Sequence, residues 1–441
     1  MKKQLIARIA PVAAALLASS TAGAAGFQLL EQNGSGVGNA FAGSAAVAEN
    51  ASTVYFNPAG MTKLSGDRQV SLGLDIIRLG FEFKDEGSTA PALTASSNDD
   101  GGDAGGMNYI PNAYFAMKLT PQLAFGLGIG APFGLKTEYE DDFMGRFLAI
   151  NSDIKTYNIN PSVAYQINEQ FSVGFGLNYQ KIEAELSNAV NFSGLLAQAG
   201  IGVFPGLEGV GTVSADDFSW GWNVGVLFEP SPTTRVGVSY RSKIKHELTG
   251  TVTFERPDSG NPQLNGAMAA GAPNGPVEAE VELPDTFLIS AHQQLNDQWT
   301  MLGDISWTGW SSLQSLDIMR TGGTELSSET LKWRDTWRIA LGANYRYSDK
   351  VKLKFGVAYD QSPVETEHRL ARLPDANRIW LSIGSQYQVS PAMVIDVGYA
   401  HLFINDPKID ADGDNAAANG NLVGSYKASV DILGVQMTYN F

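Results

Sequence analysis

The sequence predicts an all-β outer-membrane protein: an antiparallel β-barrel of about 14 strands, with an N-terminal hatch inside its lumen. Three observations predict it. A secretory leader opens the chain, period-two alternation of apolar and polar residues runs to the last residue, and short turns alternate with long loops between the alternating segments. The composition agrees. Of 441 residues 44% are hydrophobic, yet only 17% are charged and 48 are glycine, less charge than an ordinary globular domain carries. The longest apolar run, Ile9 to Ala18, is too short for a spanning helix, so a polytopic helical membrane protein is excluded.

The elements follow in order. Lys2, Lys3 and Arg8, the apolar run, and Ala22-Gly23-Ala24 make a signal peptide over residues 1–24. The formal charge is −16 and becomes more negative once those three cations are removed, which excludes nucleic acid as a partner. With no cysteine, an exported chain must be held by backbone pairing and packing. Residues 25–66 are rich in Gly, Ala, Ser and Asn and lack strand periodicity, as in Gly34-Ser35-Gly36-Val37-Gly38-Asn39-Ala40; they are assigned to the hatch. Residues 67–441 are assigned to the barrel. Its strand segments run from 68–84 to 423–441, many longer than globular strands. In one, Phe171, Val173, Phe175, Leu177 and Tyr179 form an apolar face and Ser172, Gly174, Gly176 and Asn178 the other. Short turns such as Asn168-Glu169-Gln170, Asn296-Asp297 and Ser348-Asp349 alternate with long polar or Gly-rich loops. Trp299, Trp307, Trp310, Trp333, Trp337, Tyr345 and Tyr347 lie near strand ends, as girdle residues do. The last strand ends in Tyr439 and Phe441, the type of signal read by the outer-membrane assembly machinery. Side chains cannot fill a barrel of this size, so the lumen holds water or a plug.

Ala25-Gly26-Phe27-Gln28-Leu29, Asn57-Pro58-Ala59, Gly221-Trp222-Asn223, Tyr240-Arg241-Ser242, Leu283-Pro284, the run from Arg334 to Gly342, Asp360-Gln361-Ser362-Pro363 and the run from Leu373 to Ser382 occur in this order. Together they resemble the FadL-type long-chain fatty acid transporters of the bacterial outer membrane, over essentially the whole mature chain. The resemblance implies a monomeric barrel that takes up long-chain fatty acids or similar hydrophobic compounds passively. Apolar extracellular loops would capture them, a luminal tunnel would carry them, and release would be lateral into the membrane. Outer-membrane lipid and lipopolysaccharide are then the surroundings. No cofactor or metal is expected.

Candidate site residues come from pattern and resemblance together. Two long loops are unusually apolar for exposed segments, with Leu195, Leu196, Phe204, Leu207 and Met268 as capture residues; the same residues also suit loops that pack on each other. Gly130, Pro132 and Gly134 sit in one predicted strand, where proline cannot donate to the ladder and glycines mark bends. Pairing to one neighbour should fail there. The resemblance makes this stretch the inward-kinked third strand with a side opening, and makes Ala25, Phe27, Asn57, Pro58 and Ala59 gating residues of the hatch. A Gly-rich strand making room for the plug and a rigid Asn-Pro turn are the structural alternatives. With Trp337, Ile339, Ile379 and Leu381 facing lipid, strand phase points Arg334, Arg338, Arg346 and Arg378 into the lumen. There a cation can pair with a fatty carboxylate or with luminal acids. The resemblance assigns Arg378, Arg334, Arg338 and Ser382 to substrate binding. A further family cation on the fifth strand has no counterpart in Lys181-Ile182-Glu183-Ala184-Glu185.

Other chemistry is poorly represented. His246, His292, His368 and His401 lie in no nucleophile or metal pattern, so an enzyme is not expected. The acidic run from Asp410 to Asn415 has its glycine misplaced for a calcium loop. The remaining alternatives are a monoaromatic hydrocarbon channel, which needs no carboxylate-binding cation, an outer-membrane lipid hydrolase, which needs a nucleophile and base, and a polar porin, which has no use for a plug.

Overall fold

The computed structural model describes residues 25–412 and 415–441; the expected signal peptide, and Gly413 and Asp414 of the acidic loop, lie outside the described residues. Twenty strand segments form one antiparallel sheet closed into a barrel of 14 staves. They are β1 (Arg68–Asp85), β2 (Gly106–Lys118), β3 (Leu123–Gly130), β4 (Gly134–Glu138), β5 (Asn151–Gln166), β6 (Phe171–Asn191), β7 (Glu208–Ser231), β8 (Thr234–Arg241), β9 (Ile244–Glu255) and β10 (Gly275–Leu283). The sheet continues with β11 (Thr286–Gln294), β12 (Trp299–Thr308), β13 (Ser315–Arg320), β14 (Thr324–Thr330), β15 (Thr336–Arg346), β16 (Val351–Asp360), β17 (Arg378–Ser390), β18 (Met393–Ile404), β19 (Lys408–Ala411) and β20 (Leu422–Asn440). β20 closes on β1 with Val70 opposite Tyr439 and Leu74 opposite Val435. A closed sheet leaves no free edge, the condition for crossing lipid with strands.

Along the strand stretches nearer the short turns the exposed residues are mostly the apolar ones. Phe175, Leu177, Ile339, Leu341, Leu381, Ile383, Leu433 and Val435 are exposed, while Ser172, Asn178, Asn344, Ser382 and Gln436 are buried in the lumen. That is the reverse of a soluble sandwich and the pattern of a barrel in lipid.

Several staves are broken where the sequence reads as one strand. β8 and β9 meet at Ser242 and Lys243, and the phase flips: Val236, Val238 and Tyr240 look outward in β8, whereas Lys245 and Glu247 do so in β9. A flip of this kind is the work of a bulge, with Arg241 and Ser242 both buried. Similar breaks separate β10 from β11, β12 from β13 and β14 from β15. Two sequence expectations change as a result. Trp310 and Trp333 are not girdle residues; the gaps between β12 and β13 and between β14 and β15 turn them inward, and both are buried. The long-loop end also has a tight connection, Thr321-Gly322-Gly323 between β13 and β14.

Residues 25–64 lie inside the barrel as short pieces: α1 (Gly34–Val37), α2 (Ser44–Val47), α3 (Thr53–Phe56) and a 3₁₀ turn over Pro58–Lys63. A side chain at Gly225 would place its Cβ 2.0 Å from the Asn57 amide oxygen. Wall glycines therefore leave the space this segment fills. A buried ion cluster anchors it near the short turns. Lys354 Nζ lies 2.8 Å from Asp396, 2.9 Å from Glu49 and 3.0 Å from the Ser35 carbonyl oxygen, with Lys352 3.0 Å from Glu49. Burial raises the Glu49 carboxyl, but the two ammonium groups outweigh it and hold Glu49 well below the usual carboxylate range.

Candidate functional site: a capped break in the barrel wall

The ladder between β2 and β3 stops at Ala113 opposite Ile129. Beyond the break at Ala131, Pro132 and Phe133, β4 pairs only with β5, and Gly106 to Asn112 of β2 pair only with β1. Proline has no N–H to offer and its ring fixes φ, which suits the bend.

Buried backbone groups released from a ladder need other partners, and here the N-terminal segment supplies them. Leu29 N donates to Pro132 O at 2.8 Å, Gly134 N donates to Phe27 O at 2.8 Å, and Gln32 Nε2 donates to Ala131 O at 2.8 Å. Thr156 takes both groups of Phe133, accepting from its N–H at 2.9 Å and donating to its carbonyl at 2.7 Å. The Tyr114 hydroxyl donates to Gln32 O at 2.7 Å. Residues 27–32 thus cap the break from inside.

Phe27 is held by an apolar cage, its ring 5.1 Å from Trp310, 5.8 Å from Trp333 and 5.9 Å from Phe133 between centroids. Gly26 has φ +63° and a Cβ there would lie 2.7 Å from the Trp310 ring, so this position requires glycine. Its N–H donates to Asp375 at 2.8 Å, and Asp375 also accepts from Ser362 at 2.6 Å and pairs with Arg378. Ala25 is buried at the same level. Further down, Asn57 donates to Ala45 O at 2.8 Å and to Val226 O at 3.0 Å, and accepts from Ala59 N at 3.1 Å. Pro58 opens the 3₁₀ turn that this amide caps.

A cavity of about 70 Å³ lies behind the cap, against Gln28, Leu30, Tyr55, Arg241, Asp304 and Arg338. Another of about 20 Å³ sits between Ala25, Trp310, Thr336, Arg338 and Asp360. These hold water-sized contents, far below the roughly 300–1,000 Å³ of ligand pockets. Arg338 borders both cavities; its Nη2 donates to Ala40 O at 2.6 Å, its guanidinium lies 5.1 Å from the Trp380 ring centre, and its buried Nε has no hydrogen-bond partner.

The predicted residues separate accordingly. Arg338 and Arg378 are buried in the lumen, and so is Ser382, whose hydroxyl has no partner. Arg334 does not face the lumen: β15 begins at Thr336, so strand phase does not reach it, and it is exposed beside Glu365, Glu367 and Lys408 in an outer recess. Arg346 is also exposed, because it is the last residue of β15 at the short-turn end. In the loops, α4 (Phe192–Gln198) and α5 (Pro262–Gly271) share a cluster in which Leu196 and Met268 are buried, Phe204 and Leu207 are half-buried, and Leu195 remains exposed. The loops pack on each other, which removes Leu196 and Met268 from any capture surface.

Three participants were not singled out from sequence. Arg241 donates to Tyr55 O at 2.9 Å and stacks 4.1 Å from the Tyr55 ring centre; the outward phase of Val236, Val238 and Tyr240 was its available signal. Asp304 accepts from Gly43 N at 2.9 Å and from the Ser44 hydroxyl at 3.0 Å. Glu31, on the cap, is 2% exposed and its Oε2 has no hydrogen-bond partner. Burial lifts its carboxyl to about 7 against the pull of Arg378 and Arg338. No signal marked it, since its surroundings come from β15, β16 and β17.

A sequence profile described as "Outer membrane protein transport protein (OMPP1/FadL/TodX)" matches residues 15–441. The chain is 31% identical over 441 residues to a long-chain fatty acid transport protein of Escherichia coli, covering 95% of each. A crystal structure of a Pseudomonas aeruginosa FadL homologue superposes with a TM-score of 0.86 at 25% identity, covering 95% of this chain and 100% of that one. The toluene transporter TbuX of Ralstonia pickettii shares the fold, with a TM-score of 0.67 at 21% identity over 94% and 100% of the two chains.

Proposed function

The chain belongs to the outer membrane protein transport protein family of OMPP1, FadL and TodX, and from that premise we propose that this channel admits long-chain fatty acids and releases them sideways through the break between β2 and β4. It is an outer-membrane channel for hydrophobic compounds. The observation that carries the finer reading is the pairing pattern itself: β2 and β4 do not pair, and the edge they leave is closed by residues 27–32 of the chain's own N-terminal segment. A cap of a few hydrogen bonds is removable where a continuous ladder is not.

Exposed apolar residues of the loops, Leu195 among them, supply the first contact. The acyl chain then replaces Phe27 in the cage of Phe133, Trp310 and Trp333, exchanging one apolar occupant for another at little cost in burial. Arg338 receives the carboxylate through its unpartnered Nε, in surroundings where reduced dielectric strengthens the contact. Passage needs no energy input and no cofactor. Residues 25–66 act as the hatch, with Asn57, Pro58 and Ala59 its pivot on the wall. The working unit is a monomer in outer-membrane lipid and lipopolysaccharide, inserted by the outer-membrane assembly machinery that reads Tyr439 and Phe441. The channel performs no chemistry on its cargo.

The test is binding of a long-chain fatty acid against an alkane of equal length, to the native protein and to Arg338→Ala. Fatty acid binding should weaken selectively. Stronger binding of toluene-like molecules than of either ligand would move the cargo to the monoaromatic class.

A further inference from the structure

Glu31 is a buried carboxylate placed among the luminal cations without being bound to them. Its Oε2 makes no hydrogen bond, and the guanidiniums of Arg378 and Arg338 lie within electrostatic reach, together with the Asp360 carboxylate. On the other side Asp75 of β1 and Tyr55 of α3 feel its charge. A carboxylate held this way is poorly satisfied, since burial penalises it and no direct pair compensates. It also lies within the stretch that closes the wall, between Leu29 and Gln32, whose groups bond Pro132 and Ala131.

We propose that Glu31, an acid carried by the hatch, is the movable counter-charge of the luminal guanidiniums beside the wall's Asp360 and Asp304 and the Asp375 that pairs with Arg378, that the acidic head group of the cargo displaces it, and that its displacement pulls residues 27–32 off the break. The inference rests on the channel reading above and names how the same site is regulated. Two carboxylates cannot share Arg338 and Arg378 without mutual repulsion. An arriving anionic head bonds Arg338 directly; of the acids that face this cation, Asp304 and Asp360 are fixed on β12 and β16 and Glu31 sits on the hatch, so Glu31 is the group that leaves. Because Leu29 and Gln32 flank it closely in the chain, its movement strains the bonds to Pro132 and Ala131. An uncharged cargo of the same length exerts no such push. Glu31 therefore sets specificity as well as release: the channel opens for an acid and stays capped for its alcohol.

The experiment uses the full-length protein in detergent, with hexadecanesulfonate, which stays ionised at any working pH, and hexadecanol as probes. Against native protein, Glu31→Gln should bind the sulfonate about tenfold more tightly, through loss of one like-charge repulsion, and hexadecanol unchanged. Lowering the pH from 8 to 6, which neutralises a carboxyl near 7, should tighten sulfonate binding to native protein and leave Glu31→Gln flat. Glu31→Asp, which keeps the charge, should restore the pH response. In a Gln28→Cys background, sulfonate should accelerate thiol labelling of native protein and not of Glu31→Gln. Unchanged or weaker sulfonate binding to Glu31→Gln, or an equal shift for both probes, overturns the proposal while leaving the channel reading in place. Failure of native protein to bind either probe overturns both.

Discussion

Arg338 and Arg378 carry the same charge into the same lumen but are held differently. Arg378 pairs with Asp375, which in turn takes the Gly26 N–H; Arg338 borders the cavity with Nε unpartnered. Arg338→Ala should therefore weaken a fatty carboxylate by about 1.5–3 kcal/mol, the range for a hydrogen bond to a charged group, and leave an alkane of equal length unaffected in the same titration. Arg378→Ala should instead leave Asp375 buried without its cation and cost about 3–5 kcal/mol of stability, visible as a lowered melting temperature, with both ligands affected alike. An Arg378→Ala protein of native stability that loses only the carboxylate would reverse the two roles. Strand phase alone places both side chains in the lumen. It does not tell them apart, because the group that engages Asp375 from the hatch is 349 positions away in sequence, and it misplaces Arg334, which precedes the strand whose phase was extended to it.

The elements around the lumen differ in what they tolerate. In the loop cluster Leu196 is buried and Leu195 exposed, so Leu196→Ala should cost about 2–5 kcal/mol through the cavity it opens, whereas Leu195→Asp should leave the melt unchanged and slow uptake at low substrate concentration. The hatch depends on its ion cluster. Glu49→Gln leaves Lys354 and Lys352 without their shared carboxylate, although Asp396 still serves Lys354; proteolysis of residues 25–64 should accelerate while the barrel stays intact. Staves with uninterrupted alternation, such as β16 and β20, were legible because lipid outside and polar lumen inside impose one period on them. The broken staves were not. Across residues 309–314 and 331–335 the breaks serve packing against the hatch, and a tryptophan that turns inward onto Phe27 looks, in sequence, the same as one that turns outward to the membrane surface.

At the scale of the molecule, a closed barrel surrounds a plug, and the discontinuity between β2 and β4 is sealed by the plug itself. Folding and transport are thereby separable, because the ring from β1 to β20 closes without the bonds that residues 27–32 make. The native protein should show heat-modifiable migration on a denaturing gel, as stable barrels do, and that property should survive changes at the break. The combined variant Gly130→Val, Pro132→Val and Gly134→Val restores an N–H and strand-forming side chains at the bend, which lets β2 and β4 complete their ladder. The measurement is uptake of a labelled long-chain fatty acid into the lipid of liposomes carrying this variant or the native protein, with heat-modifiability as the control for folding. A folded variant that transports little confirms lateral exit between β2 and β4; a folded variant that transports at the native rate contradicts it.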